Sequence, residues 1–153
     1  MRQTVLITGA SSGIGWECAK EFAKHRYQLV LTARKKERLL LLKEQLEGKY
    51  NIKVTVIPID LARDNAAGRL WKATKRMGLK IDVLVNSAGF GDYGIFLKSN
   101  WQKQSDMATV NMTSLMQLTY LFGRDMKRRR YGRILNLSSA VAFSAGPRMS
   151  VYY

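Results

Sequence analysis

A single cysteine, Cys18, two prolines and no long apolar run narrow what this 153-residue chain can be. One thiol cannot form an internal disulfide, so the chain is not a disulfide-stapled secreted scaffold, and a reducing cytoplasm is the simplest compartment. Few prolines, no low-complexity tract and 46% hydrophobic residues exclude a disordered chain. The leucine cluster 39–42 is flanked by charge and far shorter than the roughly 20 residues that span a bilayer, so no transmembrane helix is expected. The N-terminus enters the β-rich Val5-Leu6-Ile7 without an apolar h-region or cleavage site, which argues against a signal peptide. No metal site is expected.

Acidic residues are scarce as well: 11 stand against 26 lysines and arginines, for a net charge of +15. Such a surplus can serve nucleic acid, acidic lipid or phosphorylated small molecules. Most of it lies on predicted helices, in Lys35-Lys36, Arg38, Lys43, Lys72, Lys75-Arg76 and Lys127-Arg128-Arg129-Arg130, where solvated faces are expected. No helix-turn-helix, zinc or RNA-binding signature accompanies the charge, so neither nucleic acid nor membrane is expected as a partner.

What is present is a regular switch between short β-branched runs and longer amphipathic stretches, the pattern of βαβ units around a parallel sheet. The periodicity predicts strands over 4–8, 28–33, 53–59, 81–86 and 133–138, apolar almost without alternation, as strands covered on both faces should be. Helices are predicted over 14–25, 35–49, 65–77 and 102–129. A chain of this length suits one domain, 1–153, able to bury about 70% of its unfolded surface. The expected fold is α/β: a Rossmann-type, doubly wound parallel sheet of strand order 3-2-1-4-5.

Open α/β sheets bind ligands at the carboxyl ends of their strands. Each predicted strand here ends in small or polar residues suited to a dinucleotide and a carbonyl. After the first, Thr8-Gly9-Ala10-Ser11-Ser12-Gly13-Ile14-Gly15 opens a helix. Gly9 permits a sharp turn, Gly13 a close backbone approach to a pyrophosphate and Gly15 close helix–strand packing, while free N–H groups from Ser11 to Ile14 attract negative charge. After the second strand, an acidic residue would hold the ribose of NAD; here Arg34 follows, then Lys35 and Lys36, so NADP (as NADPH) is expected over NAD. Arg34 equally suits a solvated helix start. Asp60 ends the third strand and, with the backbone of Leu61, can hold an adenine amino group or cap the next helix. Asn86-Ser87-Ala88-Gly89 ends the fourth with the small residues that a backbone beside ribose and nicotinamide requires.

Jointly, the TGxxxGxG run from Thr8 to Gly15, Asp60-Leu61, the Asn86-Ser87-Ala88-Gly89 box, Asn111, Ser139 and Tyr152 thirteen residues later resemble the classical short-chain dehydrogenases/reductases along the whole length. Ser87 stands where that family usually has a second asparagine. The resemblance implies an oxidoreductase passing hydride between nicotinamide and a carbonyl or secondary alcohol, with Tyr152 moving the proton, Ser139 bonding the substrate oxygen and Asn111 holding a relay water. Ser138 and Tyr153 compete with Ser139 and Tyr152, and the family's thirteen-residue spacing favours the latter pair.

The resemblance further implies a lysine at the third position past Tyr153, beyond this sequence. A cation about 4 Å from a tyrosine oxygen contributes roughly 4 kcal/mol at an effective dielectric of 20, or about three pKa units. The chain is therefore expected to be the N-terminal part of a longer, homo-oligomeric reductase, truncated before its final strands, and on its own to fold poorly and turn over no substrate. A dinucleotide-binding module without chemistry is the alternative, and a basic nucleic-acid binder ranks third.

Overall fold

A computed structural model describes residues 2–144 and 146–153. Its sheet is fully parallel with strands β1 (Thr4–Thr8), β2 (Gln28–Thr32), β3 (Val54–Val56), β4 (Val83–Asn86) and β5 (Arg133–Asn136) in the order β3-β2-β1-β4-β5. Helices α1 (Gly13–Lys24), α2 (Lys36–Tyr50), α3 (Ala66–Arg76), α4 (Trp101–Ala108) and α5 (Leu115–Arg129) complete the doubly wound arrangement.

The strands carry unbroken apolar runs because successive side chains enter two different cores. Val5 and Ile7 of β1 pack with Leu29, Leu31, Val83 and Val85 against Ala19 and Ala23 of α1 and Leu39, Leu42 and Leu46 of α2. Leu6, Val30 and Leu84 point the other way, against Leu70 of α3 and Leu118, Phe122 and Met126 of α5. The register that aligns them pairs Leu6 with Val30 on one side and with Leu84 on the other. Only β5 escapes this cover: all four of its residues are exposed.

Two expectations require correction. The third strand spans only Val54–Val56, and Pro58 sits just past it on this edge of the sheet, where its lack of an N–H is tolerated. Ladder bonds nevertheless continue on alternate residues, from Ile57 N to Leu31 O and from Ile59 N to Ala33 O, both 3.0 Å. The long helix expected over 102–129 is interrupted by a π-helical turn, Thr109–Ser114. That turn is tied to other loops at its middle and at its end: Asn111 bonds the backbone of Phe90, and the Ser114 hydroxyl donates to Leu61 O at 2.7 Å. These lateral bonds accommodate the extra residue that a π-turn inserts.

Candidate active site

The carboxyl ends of the five strands surround a cleft of about 740 Å³. It brings together Gly9, Ser11, Ser12, Gly13 and Ile14 from the first loop, Arg34 after β2, Asp60 and Leu61 after β3, Ala88 and Gly89 after β4, Asn111 of the π-turn, and Ser139 and Tyr152. Of the residues expected from sequence, Gly15 and Asn86 do not line it.

Both act from beneath. A Cβ at Gly15 would lie 2.6 Å from Gly9 O, so the first turn of α1 can seat against the loop only if residue 15 has none. Asn86 is buried, and its Nδ2 donates to Thr119 Oγ1 at 3.1 Å and to Asn136 Oδ1 at 2.8 Å. It thus joins β4 to α5 and β5, and the cleft floor is left to Ala88 and Gly89.

The first loop is built for a close-lying anion. Gly9 has φ +67° and a Cβ there would lie 2.8 Å from Ala88 Cα, while Gly13 has φ +56° and nothing within 4 Å of its Cβ position. The space over Gly13 admits a ligand, and a side chain would be strained there as well as obstructive. Ser12 precedes α1 without a side-chain cap bond, so the first N–H groups of the helix stay available for phosphate oxygens. Thr8, fully buried, clamps the loop from below: its hydroxyl accepts from Ser87 N and Ala88 N.

At one end the cleft is cationic. Arg34, Lys35 and Arg38 line it, Arg34 and Lys35 are exposed, and Arg38 stacks over Trp16 with its guanidinium carbon 5.6 Å from the ring centre. Arg38, one helical turn after Arg34, was identifiable from sequence by its i,i+4 spacing but was read only as part of a solvated face. Asp60 is engaged in its own turn: its Oδ1 accepts from Ala62 N at 3.1 Å and its Oδ2 lies 3.3 Å from Arg63 Nε. It caps that turn and not α3, which starts at Ala66. Leu61, by contrast, is anchored through its carbonyl by Ser114, a contact with no signal in the sequence.

The other end carries the hydroxyls. Ser139 precedes a short 3-10 turn, Ala140–Phe143, and accepts weakly from Val141 N at 3.4 Å. Ser138 also borders the cleft, so the structure leaves both serines beside it. The tyrosines separate: Tyr152 lines the cleft with its ring against Gly91, whereas Tyr153 packs over Gly146. Asn111 spans the gap, its Oδ1 accepting from Phe90 N at 3.1 Å and its Nδ2 donating to Phe90 O at 2.9 Å. It thereby fixes the segment that leaves β4.

The residues present fit a dinucleotide. The open space over Gly13, the free helix N-terminus, the small Ala88 and Gly89 and the basic end all belong to one cleft.

Comparison with known proteins agrees with this geometry. Residues 3–153 match the model of the short chain dehydrogenase family. Rat 17-beta-hydroxysteroid dehydrogenase type 3 is 35% identical over 155 residues, covering 99% of this chain and 50% of that protein. The chain thus spans about half the length of this relative. A short-chain dehydrogenase from Sphingobium yanoikuyae, solved in complex with NADPH, superposes with a TM-score of 0.91 at 34% identity, over 98% of this chain and 58% of that one. The bulky-bulky ketone specific alcohol dehydrogenase from Comamonas testosteroni gives 0.91 at 31% identity, over 98% and 60%. The family match along virtually the whole sequence makes this chain a member of the short-chain dehydrogenase/reductase family.

Proposed function

We propose that the cleft serves an NADP-dependent oxidoreductase that interconverts a carbonyl and a secondary alcohol. One observation carries the reading: a carboxylate-poor, three-cation end and a Ser139–Asn111–Tyr152 end belong to a single cleft. NADPH, when bound, would supply the hydride. Arg34, with Lys35 and Arg38 beside it, would hold the ribose phosphate, and the first N–H groups of α1 the pyrophosphate. Tyr152 would give its hydroxyl proton to the substrate oxygen or remove it in the reverse direction. The Ser139 hydroxyl would donate a hydrogen bond to that oxygen as charge develops there. Each end of the Asn111 carboxamide makes one bond to Phe90, which leaves the second N–H of Nδ2 and the second lone pair of Oδ1 for a relay water.

The rim supports an apolar, bulky substrate. Gly94 N bonds Arg148 O at 2.8 Å, which sets the segment after β4 beside the segment that carries Tyr152. Tyr93, Ile95, Phe96 and Leu97 on the first, and Phe143 near the second, are all exposed, Leu97 and Phe143 at 92%. The names of the rat and Comamonas proteins, which specify a hydroxysteroid and bulky ketones, support the same substrate class. Met112, Met116 and Tyr120, exposed at i, i+4 and i+8 spacing, support self-association through the long helix.

The test is a fluorescence titration with NADPH and NADH, followed by turnover of a panel of ketones by the parent and its Tyr152→Phe and Tyr153→Phe variants, each with the continuation expected past Tyr153 restored. NADPH should bind tighter. Tyr152→Phe should lose about 100-fold or more in kcat with NADPH affinity retained, and Tyr153→Phe should match the parent. Tighter binding of NADH would overturn the cofactor assignment. Saturable NADPH binding with no turnover of any carbonyl would leave a binding module in place of an enzyme.

A further inference from the structure

The surplus charge is not spread over the solvated helix faces. Segments 69–80 and 124–133 hold 11 of the 26 basic residues and one of the 11 acidic ones, and the fold brings them together. Asp125 of α5 is the joint: it accepts from Trp71 Nε1 at 2.8 Å and pairs with Lys75 at 2.6 Å, both of α3, and with Arg128 of its own helix. The patch lies at the amino ends of the strands, where Ile81 and Asp82 lead into β4 and Arg133 opens β5. That is the edge opposite the cleft.

Local structural needs account for only part of this charge. Helices α3 and α5 both end here, and each C-terminus carries about half a negative charge. Asp125 balances Lys75 and Arg128, and Arg129 bonds Ile81 O with Asp82 at 3.9 Å. Arg69, Lys72, Arg76, Lys80, Arg124, Lys127, Arg130 and Arg133 remain exposed with no carboxylate within 4.0 Å among the described residues. Arg76 and Lys80 around the end of α3 and Lys127, Arg130 and Arg133 around the end of α5 repel one another, and a counter-surface would relieve that repulsion.

We infer that the joined ends of α3 and α5 form a docking surface for an anionic lipid membrane. Charge complementarity demands a polyanion, and the uncharged residues choose which. Met77 and Tyr131 stand exposed among the cations, at 55% and 41%. An apolar and an amphipathic side chain between long basic stems suit the headgroup boundary of a bilayer. The same cations would attract nucleic-acid phosphates, and the exposed Met77 and Tyr131 among them are what favour a headgroup boundary. A cavity of about 290 Å³ opens within the patch, lined by Lys75, Lys80, Phe122 and Arg129 among others. Arg129 borders this cavity with its Nε buried and without a hydrogen-bond partner among the described residues, and the Asp125 carboxylate borders it as well. No described helix is long and apolar enough to cross a membrane.

Co-sedimentation of the chain with vesicles of phosphatidylcholine alone, and of phosphatidylcholine with 30% phosphatidylserine, at 0.15 M and 0.5 M salt tests this. Binding should require the anionic lipid and weaken at the higher salt. The Arg76→Gln/Lys80→Gln/Lys127→Gln variant, which leaves every Asp125 contact intact, should lose about fivefold per residue, roughly 100-fold in all. Lys49→Gln/Lys53→Gln/Lys98→Gln removes the same charge elsewhere and should lose only a few-fold; circular dichroism confirms that both variants fold. Equal losses in the two variants, binding to pure phosphatidylcholine, or no binding at 0.15 M salt would overturn the inference. So would tighter binding to duplex DNA that only the patch variant loses, since that outcome assigns the surface to nucleic acid.

Discussion

The Thr8 hydroxyl accepts hydrogen bonds from Ser87 N and Ala88 N, each 3.0 Å away, and so ties the end of β1 to the end of β4 at the floor of the cleft. Its own proton faces Val85 O at 3.4 Å. Thr8→Val keeps the volume and strands two backbone donors. The expected cost is about 1–3 kcal/mol of stability. Thr8→Ser should retain most of it, and chemical denaturation of the two variants checks the difference. If Val is tolerated as well as Ser, the clamp contributes nothing.

Arg34 sets the cofactor preference in the proposed reading. Arg34→Glu replaces a phosphate partner by a carboxylate that repels phosphate and can hold a ribose hydroxyl. A charge-assisted bond contributes about 1.5–3 kcal/mol, so NADPH affinity should fall by roughly 10- to 100-fold while NADH affinity holds or improves. Parallel titrations read the ratio directly. An unchanged ratio would mean that Arg34 is only a solvated residue at the start of α2.

The Asn111–Phe90 pair gives a prediction on dynamics. Asn111→Leu is nearly isosteric and removes both bonds to the Phe90 backbone. Loss of this brace should free the segment after β4, with the Phe90 amide exchanging about 10- to 100-fold faster, equivalent to roughly 1.4–2.8 kcal/mol of lost protection. Hydrogen exchange at that amide is the measurement. Unchanged protection would show that the segment is held by other contacts, such as Gly94 N to Arg148 O.

How far the sequence reveals this site depends on whether a residue acts locally. Gly9 and Gly13 were legible because a turn and a close approach impose their own residue types. Strand order followed from right-handed crossovers between the alternating apolar runs. The π-turn was not legible: residues 102–129 keep helical periodicity throughout, and the insertion is stabilised by Ser114 reaching Leu61, 53 positions away. Asn86 was misplaced for the same reason. Its neighbours face the cleft, but its partners Thr119 and Asn136 are distant in sequence and draw it below the floor. The basic patch likewise escaped a linear reading, because α3 and α5 are brought together by tertiary contacts, the pairs of Asp125 and the packing of Leu70 with Leu118, Phe122 and Met126.

Asp125 itself yields a pH prediction. Burial pushes its carboxyl upward, but bonds from Lys75, Trp71 and Arg128 outweigh that and hold it below the ordinary aspartate value. A carboxylate whose folded pKa is depressed stabilises the fold above its unfolded pKa of about 3.9, and the contribution is lost as pH falls through the lower folded value. Asp125→Asn keeps an acceptor for Trp71 and removes the charge between Lys75 and Arg128. Both cations are substantially exposed, so water compensates them in part, and the cost at pH 7 should be about 1–3 kcal/mol. Thermal melts of parent and variant should therefore differ at pH 7 and converge below about pH 4. A gap that persists undiminished at pH 3 would mean that Asp125 contributes by packing and not by charge.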